Sequence, residues 1–263
     1  MKQAPAAPRD TISAALQAAA AKGRPALVGF LTAGFPTRRS FKDNLAAVAE
    51  VCDVVEVGVP FSDPMADGTT IQRASFAALA DGVTLPWIID ELRSVEGRHA
   101  APILLMSYLN PLLSMGPDAL PRAAASAGVA GFIVPDLPFE ESADLKRALE
   151  GELLALVQMV TPVTPPERLA MLCREAQGFV YAVTMTGTTG TGTGGDDVPS
   201  EVLDYMDRVK RSSRVPVCAG FGIRSPAQVA RFAGHVDGVV VGSALVEVLE
   251  RGEDPRVFLR SLR

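Results

Sequence analysis

Val54-Val55-Glu56-Val57-Gly58-Val59, running on into Pro60-Phe61-Ser62-Asp63-Pro64-Met65-Ala66-Asp67-Gly68, is the stretch on which the fold turns. Its first half is a β-branched run, apolar on both faces except for one carboxylate, and reads as a strand inside a covered sheet. Its second half is rich in Pro, Asp and Gly and reads as the loop at that strand's C-terminal end. Counting this one at 53–59, similar runs stand at 26–31, 102–108, 128–134, 153–160, 178–184, 216–222 and 236–241. Most are followed by a segment of helical spacing, such as 40–50, 117–127 and 140–150, and an Ala-rich helix at 10–22 precedes the first. Continuous apolar strands separated by helices require a parallel sheet covered on both sides. Eight such units in 263 residues fit a closed barrel better than an open doubly wound sheet, whose usual GxGxxG opening after the first strand is missing. The predicted fold is therefore α/β, a (β/α)8 TIM barrel with an extra N-terminal helix, forming one domain over residues 1–263.

Composition narrows the chemistry. The chain is 48% hydrophobic and 21% charged, with a net charge of −5 and no Lys/Arg run, so a nucleic-acid or anionic-membrane partner is not expected. Cys52, Cys173 and Cys218 form no CxxC pair and read as small buried hydrophobes in a reducing compartment. No apolar stretch reaches the ~18 residues of a membrane span, and no signal-peptide core is evident, so the cytoplasm is the expected location. In a barrel of this kind chemistry sits at the C-terminal ends of the strands. His99 and His235 precede the third and eighth strands, at the opposite end, and none of the five Lys stands at a strand end. A metal held by clustered His and Schiff-base chemistry are both disfavoured. Carboxylate acid–base chemistry and backbone phosphate binding remain.

Strand alternation puts Glu56 and Gly58 on one face and Val55, Val57 and Val59 on the other, so Glu56 points into the barrel if the valines face the helices. There it is either a hydrogen-bonded structural carboxylate or a general acid/base raised towards neutrality by burial. Asp63 before Pro64 reads as a turn former. Asp67 before Gly68 reads either as a second turn residue or as the partner of a two-carboxylate site. Glycine-rich stretches follow the sixth, seventh and eighth strands, at 187–195, 220–225 and 242–243. Glycine lets backbone N–H groups approach phosphate oxygens, and the loops after strands seven and eight are the recurrent phosphate cradle of barrels. The Thr/Gly-rich segment 185–197 is either an ordinary loop or a lid that closes over substrate.

The string from Val54 to Gln72 resembles the signature of tryptophan synthase α chains. So do Phe30-Leu31-Thr32-Ala33-Gly34, Leu105-Met106-Ser107-Tyr108-Leu109-Asn110-Pro111, Val134-Pro135-Asp136-Leu137-Pro138, Tyr181, Thr189-Gly190, Gly220-Phe221-Gly222-Ile223 and Gly242-Ser243. The resemblance implies a lyase of tryptophan biosynthesis that cleaves indole-3-glycerol phosphate to indole and glyceraldehyde 3-phosphate by a retro-aldol route. It implies Glu56 as the main acid/base and Asp67 as the group that binds the indole N–H. It also implies phosphate on Gly190, Gly222, Gly242 and Ser243, an indole pocket of Phe30, Leu105, Tyr181 and Phe221, and Thr189 as the lid residue approaching Asp67. No cofactor is implied in this chain. Pyridoxal phosphate belongs to a partner β chain, with which an α2β2 heterotetramer is expected. The chain departs from the family pattern at Thr69, where Pro is usual, in the extra glycines after Gly190, and at Ser107 and Leu109, where aromatic residues are common. Two other readings are a phosphate-sugar isomerase of the histidine-biosynthesis type and a chain that chiefly activates a β chain. The first favours paired Asp where Thr32 and Thr161 stand; the second is disfavoured by the presence of both carboxylates.

Overall fold

Every residue of Ala26–Thr32 and of Val54–Gly58 is buried, as strands with one face in a barrel and the other under helices must be. The computed structural model describes residues 7–184, 198–220 and 222–263. Among these, eight parallel strands pair in chain order and close on themselves: β1 (Ala26–Thr32), β2 (Val54–Gly58), β3 (Ile103–Met106), β4 (Val129–Ile133), β5 (Ala155–Val160), β6 (Val180–Val183), β7 (Val217–Gly220) and β8 (Gly238–Val241). Each lies within a run read as a strand from sequence, apart from one residue added at Thr32.

Alternation sorts the strand side chains into two layers. Leu27, Leu31, Val55, Val57, Leu105, Phe132, Val239 and Val241 pack with helix residues such as Leu45, Val48, Ile88 and Leu245 in one outer cluster. Ala26, Val28, Val54, Leu104, Val157, Tyr181, Cys218 and Val240 form an inner cluster. It also takes in Ile12, Leu16 and Ala19 of the helix Pro8–Ala20, which plugs the N-terminal end of the barrel. Arg9 N–H donates to the Leu153 carbonyl at 3.1 Å and Ser13 Oγ donates to the Gly178 carbonyl at 2.5 Å, both just upstream of β5 and β6. Burial of Ile12 and Leu16 stabilises this plug by about 1.5–3 kcal/mol each. The extra N-terminal helix is thus the floor of the barrel, and the open mouth is at the C-terminal ends of the strands.

Helices Phe41–Val51, Ala119–Ser126 and Ala143–Gly151 match the predicted segments to within three residues at each end. Sequence reading did not separate the two helices after β2, Thr69–Ala80 and Leu85–Ser94, and did not find the closing helix Pro255–Ser261. No described helix is long and apolar enough to cross a membrane. All three cysteines are free and buried.

Candidate active site

Glu56 is fully buried on β2, level with Phe30 of β1 and Leu104 of β3. Its neighbours Val55 and Val57 belong to the outer cluster, so the carboxyl points into the barrel as alternation predicts. Neither carboxyl oxygen has a hydrogen-bond partner among the described residues, and burial pushes Glu56 up from 4.5 to about 8. A carboxyl there holds its proton at neutral pH.

The loop after β2 brings Asp67 back over the mouth, where it lines one cavity with Phe30, Thr32, Gly58, Met106 and Tyr108. Asp67 is partly accessible. Burial raises it to about 6, against a hydrogen bond from the Tyr108 hydroxyl that lowers it. Tyr108 donates to Asp67 Oδ2 at 3.2 Å, accepts from Ala66 N–H at 2.8 Å, and stacks on Phe61 with ring centroids 5.0 Å apart. One phenol therefore orients the carboxylate and ties the loop after β2 to the end of β3. Asp63 is exposed in the same loop, its side chain taken by Ser62 Oγ, in keeping with the turn reading.

Two glycines make room for the aromatic walls. A Cβ on Gly58 would stand 2.5 Å from Phe30 Cζ, and one on Gly220 would collide with the ring of Tyr181. Phe30 thus lies across β2 and Tyr181 across β7. Burial, with the charges of Glu56, Cys218 and Asp67, holds the Tyr181 phenol well above its ordinary value. Replacing Gly58 by Ala is expected to push Phe30 off its seat, costing about 1–3 kcal/mol of stability and raising KM. Urea melts and steady-state kinetics check this, and an unchanged KM would show that the ring position is immaterial.

Gly242 precedes the helix Ser243–Glu250 at the end of β8, and Gly222 follows β7 with φ +83°, a left-handed conformation suited to glycine. Gly222 is exposed and Gly242 and Ser243 are half-buried, so this helix N-terminus reaches the surface, where its dipole suits an anion. Gly190, Thr189 and Phe221, with the candidate lid 185–197, lie outside the described residues.

One predicted pocket residue is corrected. Leu105 is completely buried in the outer layer with Val57 and Phe132, facing the helices, whereas Met106 lines the cavity. The register explains it: Glu56 pairs with Leu104 and Gly58 with Met106, so the inward side chains of β3 are those of Leu104 and Met106. Neither Met106 nor the role of Tyr108 emerges from the sequence reading. The shared parity with Glu56 would have found Met106; the pairing of Tyr108 with Asp67 joins two loops and has no sequence signal.

Comparison with known proteins adds the lineage. The profile of the family described as tryptophan synthase alpha chain matches residues 16–262. The tryptophan synthase alpha chain of Nitratidesulfovibrio vulgaris is 45% identical over 247 residues, covering 94% of this chain and 95% of that one. That of Solidesulfovibrio magneticus is 44% identical over 256 residues, 97% and 99% of the two chains. Among solved structures, tryptophan synthase from M. tuberculosis in an aminoacrylate-bound form superposes with a TM-score of 0.84 at 36% identity, covering 96% of this chain and 97% of that chain. A mutant tryptophan synthase alpha-subunit from Pyrococcus furiosus gives 0.81 at 33% identity, with 91% and 98% covered. Near-complete coverage at such identity, on the barrel described above, means that the chain belongs to the tryptophan synthase alpha chain family.

Proposed function

We propose that the chain, a lyase of tryptophan biosynthesis by family, cleaves indole-3-glycerol phosphate with Glu56 and Asp67 as its working pair. The observation that carries this reading is two carboxyls at one end of the barrel in unlike surroundings. Glu56 is fully buried with no hydrogen-bond partner among the described residues, and Asp67 lines the cavity in a hydrogen bond from Tyr108, so burial raises Glu56 to about 8 and Asp67 only to about 6. Between those values Glu56 holds a proton while Asp67 is ionised, which is the division of roles the reaction needs. Glu56 gives its proton to indole C3, and positive charge develops on the ring nitrogen, whose N–H donates to the Asp67 carboxylate. The Glu56 carboxylate then takes the proton of the side-chain hydroxyl next to the ring. That oxygen's electrons form the aldehyde C=O, the bond from this carbon to C3 breaks, and its electron pair restores the neutral indole. Glu56 ends protonated, as it began, and glyceraldehyde 3-phosphate leaves. The phosphate sits on backbone groups of Gly222, Gly242 and Ser243.

No step calls for a metal or a cofactor in this chain, and the two His stand before β3 and β8, away from the mouth. We place pyridoxal phosphate in a partner β chain, the pair assembled as α2β2 in the cytoplasm, with this chain as one domain. Support for docking comes from Met65, Leu113 and Val163, which are 86%, 56% and 74% exposed and lie in segments that follow β2, β3 and β5. Exposed large apolar side chains in segments that follow the C-terminal ends of strands suit a protein surface better than water.

The test is incubation with indole-3-glycerol phosphate, following indole release with and without a β chain. Slow release alone and a large rise with the partner are expected; no release in either case contradicts the assignment. kcat/KM should trace a bell with limbs near pH 6 and pH 8. In Tyr108→Phe the acidic limb should move to higher pH, because the hydrogen bond that lowers Asp67 is gone. An unmoved limb would remove Tyr108 from the site.

A further inference from the structure

The Thr32 side chain is 1% exposed, lines the cavity that holds Asp67 and Tyr108, and its hydroxyl has no hydrogen-bond partner among the described residues. A buried hydroxyl with no partner among the described residues is costly unless something else completes it, and of the other buried polar atoms in that state, only those of Glu56 also face the barrel interior. Its place in the barrel says what. β1 lies between β8 and β2. Thr32 pairs with Gly58, one layer nearer the mouth than the Phe30–Glu56 pair, and Phe30 itself lies against Gly242 on the other side, within 3.9 Å of where a Cβ would stand.

The carboxyls are therefore on one flank of Thr32, at β2, and the helix N-terminus at Gly242 is on the other, at β8. A substrate with its ring at Asp67 and its phosphate at Gly242 must lay its three-carbon side chain across the end of β1. The hydroxyl next to the ring is spoken for by Glu56. The middle hydroxyl, between that carbon and the phosphate-bearing one, passes over Thr32.

We propose that Thr32 binds the middle hydroxyl of the substrate side chain through Oγ1, making it a residue that selects for a 2-hydroxylated phosphate ester. This rests on the retro-aldol reading of the same site. Valine has the same branching and nearly the same volume without the hydroxyl, so Thr32→Val isolates the hydrogen bond.

The experiment compares wild type, Thr32→Val and Thr32→Ser, each in complex with a β chain, on indole-3-glycerol phosphate and on the analogue lacking only the middle hydroxyl. On the full substrate Thr32→Val should lose roughly 10–100-fold in kcat/KM, and Thr32→Ser should recover most of it. On the deoxy analogue wild type and Thr32→Val should be equal within about twofold, because neither has that bond to lose. An equal loss on both substrates, or no loss on either, overturns the assignment of Thr32 and leaves the reaction standing. A wild type that releases no indole from the full substrate overturns the reaction itself, and the proposal with it.

Discussion

Replacing Glu56 by Gln is expected to lower kcat by roughly 10³–10⁴-fold, because the amide occupies the same volume but has no proton to give to indole C3. The fold should survive, and the variant should be the more stable protein at neutral pH. The sign follows from burial. Glu56 is raised from 4.5 to about 8 in the folded chain, so the folded state binds its proton more tightly than the unfolded one. That contribution to stability is fully present below pH 4.5 and is lost as pH rises through 8. By pH 7 the wild type has given up on the order of 3 kcal/mol that the Gln variant, having nothing to ionise, retains. Denaturant melts from pH 5 to 8 should show the gap widening by about 1.4 kcal/mol per unit. A constant gap would mean that Glu56 is already ionised in the folded protein, and undiminished turnover would remove it from the mechanism.

The second large effect is at Asp67. Its carboxylate meets a ring that is neutral in bound substrate and positively charged once C3 is protonated, so it acts on the transition state more than on binding. Asp67→Asn keeps an oxygen for the indole N–H and for Tyr108, which reaches Oδ2 at 3.2 Å, but removes the charge. kcat should fall about 10²–10³-fold with KM changed only slightly, and the limb of the pH profile near 6 should vanish. A large rise in KM with kcat preserved would recast Asp67 as a binding group only.

Much of this was legible in the sequence because the barrel repeats one simple instruction. Apolar runs alternating with amphipathic segments can bury themselves in few ways, and a lone carboxylate among valines betrays which way its strand faces. Glu56 was oriented correctly for that reason, and the poverty of His and Lys at strand ends pointed to acid–base chemistry. Ile103-Leu104-Leu105-Met106 shows where such reading stops. With both faces of the strand buried, no polarity marks the inner one, so nothing in the sequence checks the pocket place that the resemblance implies for Leu105, and the register gives it to Met106. The same holds for contacts between loops. The hold of Tyr108 on Asp67 spans 41 positions, and the need for glycine at 58 and 220 arises only once Phe30 and Tyr181 lie across them.

The central claim is that the buried carboxyl at position 56, which has no hydrogen-bond partner among the described residues, carries the proton for cleavage at neutral pH. Isotope-edited infrared spectra of the substrate-free chain, read as wild type minus Glu56→Gln across pH 5 to 9, test it most directly. A protonated-carboxyl C=O band at pH 7 that disappears with a midpoint near pH 8 is the predicted result. A carboxylate band already dominant at pH 6 would contradict the account.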